Sequence, residues 1–317
     1  MTKYYSSFVI YKSIFISTIL TFNLSFSQEL KIITLNDFNL KGKVKHCIVS
    51  ADYGNEEFYF NEDGTLSQSI TRFNEQDFTV ITYARSNENE LIQKNIEVYS
   101  SGERDKAVSL AHFYELRLSD KGKSIKEKIV NFKNEFIDSY TYFYDKQDRM
   151  VKVVRNNEKG ISETDIVYET NKDNINVKEI HLAGADTVKV IKRLEPKIEH
   201  VQGEYEELTT IYANNKPNMA EIRFIDSLGN ARFEEKLKAG IKNPYRYYSQ
   251  AKKTYQYNEK GDVIEEKEFK KKVLLKKLVY EYVYEDEDSL KPVNWIRKTE
   301  KYSKSTVSRE IEYYEIN

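Results

Sequence analysis

Apolar and polar side chains alternate in short runs along most of the chain, and clusters of turn-forming residues separate the runs. In the stretch YQYNEKGDV, residues 255–263, two aromatic residues alternate with polar ones before a cluster that ends at Gly261. Alternation with a period of two is typical of a β-strand with one buried face, and an Asn-x-x-Gly cluster is typical of a tight turn. This stretch therefore predicts a β-hairpin.

The hairpin pattern recurs along the chain. Close copies are FYFNEDGTL (58–66), YFYDKQDRM (142–150) and YVYEDEDSL (282–290), weaker ones begin at residues 83, 116, 168 and 223, and KIEHVQGEY fits a degenerate ninth copy. The fourth place holds Asn, Asp, Ser or Glu, and the seventh holds Gly, Asn or Asp, as a type I turn followed by a G1 bulge requires. The predicted structural turn residues include Asn61, Gly64, Asp145, Asp148, Asn258 and Gly261.

Most repeats are about 25 to 33 residues apart, enough for two strands, a tight turn and a return connection. We therefore predict an all-β fold, an antiparallel β-meander of repeated hairpins that forms a long, twisted or curled sheet. Two alternatives stay open for 233–250, a long return loop or a short helix near 233–242. The ends of the domain, 28–57 and 291–317, are predicted to cap the sheet.

The first residues predict an export signal. Lys3 and Lys12 precede the apolar run SIFISTILTF, and small residues follow at Ser25 and Ser27. This order is typical of a secretory signal peptide, and the run is shorter than the ~20 apolar residues that a membrane span needs. We expect residues 1–27 to be a signal peptide and 28–317 a single domain without a transmembrane segment.

Composition supports strands and excludes some partners. The chain of 317 residues has 25 Tyr and 16 Phe but only 4 Pro and 11 Gly, and aromatic residues favour strands. Its 50 Lys and Arg nearly balance 51 Asp and Glu, which argues against nucleic-acid binding. Cys47 is the only cysteine, so no disulfide can form within the chain, and we interpret it as a small core residue.

With its copies aligned, the chain resembles the YD-repeat (RHS-like) proteins, whose units center on a Y-x-Y-D/N-x-x-G hairpin. The match is clearest at 58–66, 142–150 and 255–263, and the end of the chain resembles the terminal unit of small exported bacterial proteins of this kind. The resemblance implies an antiparallel sheet and a carbohydrate-binding or surface role.

Sequence motifs for catalysis or cofactor binding are not found. The chain has no G-x-S-x-G, no P-loop and no H-E-x-x-H, and its four histidines, at 46, 112, 181 and 200, are far apart in sequence. The acidic run at 284–289 lacks the spacing of a calcium loop. We predict no catalytic residue, no metal site and no cofactor.

Aromatic residues are the candidate ligand-binding residues. Trp295 is the only tryptophan, and Tyr245, Tyr247 and Tyr248 lie in the least regular segment, where a loop can carry a site. Flat rings suit stacking on a sugar or on the apolar surface of a partner.

These observations favour an exported, non-enzymatic binding module that presents a sheet face to a glycan or an envelope protein. The expected location is periplasmic, outer-surface associated or secreted. A carrier of a lipid-like ligand in a curled sheet is the alternative, and it predicts a continuous concave stripe of Phe, Ile, Leu and Val. An unrecognised hydrolase is a third hypothesis.

Overall fold

The computed structural model describes residues 32–170, 177–194, 204–285 and 293–315. One 3₁₀ helix, η1 (Leu35–Phe38), precedes the strands. The first strands are β1 (Val44–Ala51), β2 (Gly54–Phe60), β3 (Leu66–Arg72), β4 (Phe78–Arg85), β5 (Leu91–Ser100), β6 (Glu103–Arg104) and β7 (Leu110–Ser119). The middle strands are β8 (Gly122–Asn131), β9 (Phe136–Tyr144), β10 (Met150–Asn157), β11 (Gly160–Thr170), β12 (Val177–Ala183), β13 (Asp186–Leu194) and β14 (Tyr205–Ala213). The last strands are β15 (Lys216–Ile225), β16 (Ala231–Ala239), β17 (Tyr247–Tyr257), β18 (Val263–Lys270), β19 (Val273–Tyr284), β20 (Trp295–Glu300) and β21 (Thr306–Tyr313).

The strands form one closed antiparallel barrel. Each strand pairs with its neighbours in sequence, except that the two-residue β6 pairs only with β5, and β5 continues to β7. The last strand, β21, then pairs with the first, with Cys47 opposite Ile311 and Val49 opposite Arg309. Twenty of the described strands therefore close into a ring.

The prediction of an open, curled sheet is wrong in this respect. Residues 28–57 and 291–317 were expected to cap two separate edges, but strands from these two regions, β1 and β21, pair with each other along their length. The physical reason is that an edge strand exposes unpaired N–H and C=O groups, which the closing pair satisfies. The all-β class is confirmed.

The short helix suggested for 233–242 is also not formed. Residues 231–239 are strand β16, in which Phe233 lies opposite Phe224 and Glu234 opposite Arg223. The helix-forming Glu and Lys residues of this segment alternate with apolar ones, and pairing with both neighbouring strands overrides their helix propensity. A seven-residue connection, 240–246, follows the strand.

The predicted turns lie at one end of the barrel. Because successive strands run in opposite directions, every second connection falls at the same end. The turns at 61–65, 86–90, 120–121, 145–149, 226–230 and 258–262 belong to this set. The repeat length is therefore the length of one up-and-down pair of strands.

The segment before β1, residues 32–43, identifies the concave face of the sheet. The Leu35 N–H donates to the Gly64 carbonyl beside β2, and the Asn39 amide donates to Asp262 beside β18. Five strand spacings separate β2 from β18, about 24 Å along the sheet, whereas four residues of 3₁₀ helix advance only about 8 Å. The sheet must therefore curl around this segment, and the face that contacts it is concave.

The same face carries the two hydrophobic clusters. In one, Phe38 of η1 packs against Phe58 and Phe60, with ring centroids 4.4 and 5.5 Å apart, over the buried Cys47. The other cluster covers β8 to β11 and includes Tyr142, which is almost fully buried. Residues paired across antiparallel strands share a face, so the registers extend this assignment around the ring.

Candidate binding surface

Tyrosines and charged groups line the concave face. Tyr140, Tyr142 and Tyr144 alternate along β9, and Tyr280, Tyr282 and Tyr284 do the same along β19. Most other strands from β7 to β21 contribute ionisable side chains to the same face, according to the strand registers. The continuous apolar stripe that a lipid carrier would need is therefore broken by hydroxyls and charges.

Glu127 on β8 is the center of one buried polar cluster. His112 Nδ1 lies 2.7 Å from its Oε1, the Tyr114 hydroxyl donates to the same oxygen at 2.9 Å, and the Tyr142 hydroxyl donates to Oε2 at 2.8 Å. Burial alone would raise the pKa of Glu127, but these hydrogen bonds and the charge of His112 together hold it below its usual value. Burial and the neighbouring carboxylate raise the pKa of Tyr114 and Tyr142, so both hydroxyls remain donors.

Other carboxylates on this face also have basic partners. Two contacts involve guanidinium groups: Arg155 donates to Asp138 at 2.6 Å and Arg223 donates to Glu234 at 3.1 Å. The Tyr255 hydroxyl adds a second donor to Glu234, also at 3.1 Å. Asp138 and Glu234 are thus already neutralised by hydrogen-bonded cations.

A different cluster surrounds Trp295 on β20. The Arg309 guanidinium lies 3.6 Å from the Trp295 ring centroid, and the Lys298 ammonium lies 3.9 Å from that of Tyr280. The Tyr282 ring packs edge-on against Trp295 at 5.9 Å. Arg309 and Trp295 are buried, 8% and 5% exposed, and form the floor of an aromatic and cationic surface.

Arg309 uses only part of its hydrogen-bonding capacity. Its Nη2 donates to the Phe38 carbonyl at 2.8 Å, whereas Nε and Nη1 are buried and have no hydrogen-bond partner among the residues that the structure describes. Within the same residues, no carboxylate lies in ion-pair distance of this guanidinium. Burial lowers the pKa of Arg309 to about 10 and that of Lys298 to about 8.

The predicted ligand-binding residues do not form one site. Trp295 belongs to the concave cluster just described, but the three tyrosines lie at the connection between β16 and β17 and at the start of β17. Tyr245 is 74% exposed and Tyr248 50%, and Arg246 lies over the Tyr248 ring. The nearest strand of the Trp295 cluster, β19, is two strands away from β17.

The predicted turn residues lie in type I-like turns. Each turn has a backbone hydrogen bond from its seventh-place residue to the carbonyl of its fourth-place residue, as in Gly64 to Asn61 and Asp148 to Asp145. Gly64, Asp148 and Gly261 have φ values of 80, 62 and 85°, in the left-handed region. Gly122 differs, because it begins β8 after a two-residue turn and has φ 137°. The copies around 171–174 and Gly203, most of the 282–290 turn, and the signal peptide 1–27 lie outside the described residues.

Sequence reasoning missed Glu127, Lys298 and Arg309. A signal was present for Arg309, because it shares strand parity with Val307, Ile311 and Tyr313 in the segment TVSREIEYY. A charged residue at an otherwise apolar position of a strand indicates a buried ion that needs a partner. No comparable local signal marks Glu127, whose partners come from β7 and β9.

The convex face has a different chemistry. Lys152 on β10 pairs with Glu163 on β11, Lys178 on β12 pairs with Glu169 on β11, and Lys277 on β19 pairs with Glu265 on β18. The register places all of these side chains on the face opposite Val153, Tyr168 and Tyr280. They are between 15 and 56% exposed, so the outside of the barrel carries ion pairs at several points around the ring.

In the part of the chain that the structure describes, no group of three or more His, Cys, Asp and Glu side chains could hold a metal ion. Within 32–170, 177–194, 204–285 and 293–315, no helix is long and apolar enough to span a membrane.

The described histidines have separate partners. His46 stacks on Tyr59 with ring centroids 4.1 Å apart, His112 contacts Glu127, and His181 contacts Glu179 at 2.5 Å.

Comparisons with known proteins give limited likeness. No family model matches the chain, and no curated protein matches it. Among solved structures, a porin-like protein from Bacteroides uniformis is 10% identical, with 85% of this chain and 98% of that chain covered and a TM-score of 0.32. A porin-like protein from Bacteroides vulgatus is 9% identical, with 86 and 99% covered and a TM-score of 0.27. TcdB2-TccC3-TEV is 10% identical over 78% of this chain and 15% of that chain, with a TM-score of 0.13. Such low TM-scores carry no argument about function, and the closed barrel rests on the strand pairings of this chain.

Proposed function

We propose that the protein is an exported, non-enzymatic binding protein whose concave barrel face binds a polar ligand, with a glycan as the ligand class. The observation that carries the proposal is the presence on that face of tyrosine rings, as along β9 and β19, together with ion pairs such as Arg155–Asp138 and Arg223–Glu234. Rings can stack on the apolar faces of sugars, and fixed carboxylates and cations can bind hydroxyl groups.

The chemistry of the concave face weighs against a lipid carrier. Glu127, Glu234 and Arg223 interrupt any apolar path, and an apolar ligand would have to desolvate these groups without offering them hydrogen bonds. The alternative hypothesis of a lipid-like ligand is therefore less well supported than a polar ligand.

The convex face weighs against a barrel that faces lipid with its whole outer surface. A membrane barrel needs an apolar outer band, and a Lys or Arg at the bilayer midplane costs about 2–4 kcal/mol. Ion pairs such as Lys152 with Glu163, repeated around the ring, are instead suited to contact with water. This observation supports a binding role rather than a channel role.

A glycan panel tests the proposal. The purified chain from Gln28 is titrated calorimetrically with neutral and acidic oligosaccharides and with a fluorescent fatty acid. We expect a saccharide to bind, and we expect Tyr280→Leu on the concave face to weaken binding about tenfold or more. The matched control is Tyr59→Leu on the convex face, which stacks on His46 and is expected to leave affinity unchanged. Binding of the fatty acid alone, or equal loss in both variants, would refute the proposal.

A further inference from the structure

The Trp295 cluster has more cationic hydrogen-bonding capacity than the described residues use. The Arg309 guanidinium is 8% exposed, and only one of its three nitrogens donates a hydrogen bond to a described residue. Buried N–H groups of a charged side chain are normally paired, because an unpaired one loses its bonds to water without replacement. Arg309 therefore has hydrogen-bonding capacity that no described residue satisfies.

Several carboxylates near this cluster accept hydrogen bonds from other groups. Glu266 accepts from Lys253 at 2.9 Å, and Asp262 accepts from Asn39 at 2.5 Å and from the Tyr284 hydroxyl at 2.8 Å. Glu285 accepts from the Tyr313 hydroxyl at 2.6 Å. These carboxylates thus already accept hydrogen bonds within the described residues, and Arg309 lowers the pKa of Lys298 while Glu266 and Asp262 raise it.

The cluster also offers flat surfaces next to its charge. Tyr280 and Tyr282 are half-buried on the concave face beside Lys298, and the Trp295 ring lies beneath Arg309. A cation beside an aromatic ring suits a ligand that carries an anionic group on a ring with an apolar face. Acidic sugars have this combination, whereas a free inorganic anion has only the charge.

We propose that Arg309, Lys298 and Trp295 form an anion-binding subsite of the concave face, which binds the carboxylate of an acidic glycan. This inference rests on the proposed function and adds the sign of the charge on the ligand. Arg309 donates from Nε and Nη1 to the anion, Lys298 adds a second cation, and the rings of Tyr280 and Tyr282 contact the sugar.

Because Trp295 is the only tryptophan, its fluorescence reports on ligand binding at the subsite. The fluorescence of Trp295 is followed during titration with trigalacturonate, with its methyl ester, which keeps the sugar and removes the charge, and with sodium sulfate. The expected result is a saturable change with trigalacturonate and at least about tenfold weaker binding of the ester.

Two variants on neighbouring positions separate the two faces. Lys298→Met removes a cation from the concave face, and Arg297→Met removes one from the exposed, convex position next to it. We expect Lys298→Met to weaken trigalacturonate binding about tenfold and Arg297→Met to leave it within about twofold. Arg309→Lys, which keeps the charge but loses donors, is expected to weaken binding as well, and thermal unfolding checks that each variant is folded.

The outcomes distinguish the subsite from the wider proposal. Equal binding of trigalacturonate and its methyl ester, unaffected by Lys298→Met, would overturn the anion-binding subsite. Glycan binding by the concave face would still be supported. Binding of sulfate that is weakened by Lys298→Met, without binding of either saccharide, would support the anion site and contradict a glycan ligand. No response of Trp295 to any of the three probes would overturn the subsite.

Discussion

Two buried polar clusters on the concave face differ in how completely their charges are satisfied. Around Glu127 on β8, both carboxylate oxygens accept hydrogen bonds from groups on β7 and β9. Around Arg309 on β21, one guanidinium nitrogen is bonded and two are not, within the described part of the chain. The first cluster holds strands together, and the second retains bonding capacity for a ligand.

The largest expected effect comes from breaking the Glu127 cluster. Glu127→Leu would leave the hydroxyls of Tyr114 and Tyr142 and the His112 ring buried without their acceptor, which should cost about 3–5 kcal/mol of unfolding free energy. The matched control is Glu163→Leu on the convex face, where loss of an exposed pair with Lys152 should cost about 1 kcal/mol or less. Urea unfolding of both variants measures the difference. Equal losses of unfolding free energy would show that the Glu127 cluster stabilises the fold no more than an exposed ion pair does.

The same cluster should make stability sensitive to acid. The pKa of Glu127 is lowered in the folded protein, so its contribution is present at neutral pH and is lost as pH falls below its usual value of 4.5. The stability difference between the wild type and Glu127→Leu should therefore shrink between pH 6 and pH 3, the range where a carboxylate with a lowered pKa gains its proton. A difference that stays constant over this range would contradict the assignment.

The Arg309 cluster should respond in the opposite direction. Burial lowers the pKa of Lys298 from 10.5 to about 8, an effect that Arg309 increases and that Glu266 and Asp262 oppose. The charged lysine is thus a cost below pH 8, so Lys298→Met should stabilise the protein at pH 7, by up to about 3 kcal/mol. Because the unfolded chain binds the extra proton between about pH 8 and 10.5, the wild type should recover this cost as pH rises through that window. Destabilisation by Lys298→Met at pH 7 would contradict a net cost of burying the charged Lys298 side chain.

The smallest effect tests a single hydrogen bond. Tyr142→Phe removes the donor to Glu127 Oε2 and should cost about 1–2 kcal/mol, since it leaves a buried acceptor without its partner. Tyr59→Phe removes a comparable bond to Glu57 on the convex face, where water can replace it, and should cost less than about 0.5 kcal/mol. Thermal unfolding of the pair gives both values, and the reverse order would contradict the assignment of the two faces.

Local sequence signals predict the strands and turns but not the ring. Tyr280, Tyr282 and Tyr284 alternate, and β19 is a strand; Asn258 and Gly261 form the turn that their residue types indicate. Closure depends on the pairing of β1 with β21, residues that are more than 250 positions apart and carry no local mark of each other. A repeat of hairpins fits an open or a closed sheet equally well, so the error about the open sheet has a physical origin.

For the candidate site, too, the local sequence predicts single residues but not which of them come together. Trp295 was singled out as the only tryptophan, and it lies on the concave face. Its neighbours Arg309 and Lys298 come from different strands, and which face each occupies depends on the register and its bulges, such as the one between Val283 and Tyr284. The irregular local sequence around Tyr245, Tyr247 and Tyr248 indicates a connection between strands but does not predict whether these side chains are buried.

The most direct test of the concave binding surface is a titration followed at the two clusters by NMR. The Nε–Hε resonance of Arg309 and the ring resonances of His112 are recorded while trigalacturonate is added. We expect the Arg309 resonance to shift with a saturable dependence on the ligand, because its unpaired N–H gains an acceptor, and the His112 resonances to remain unchanged. Binding of trigalacturonate without a shift of the Arg309 resonance, or with a shift of the His112 resonances instead, would contradict ligand binding at the Arg309 cluster.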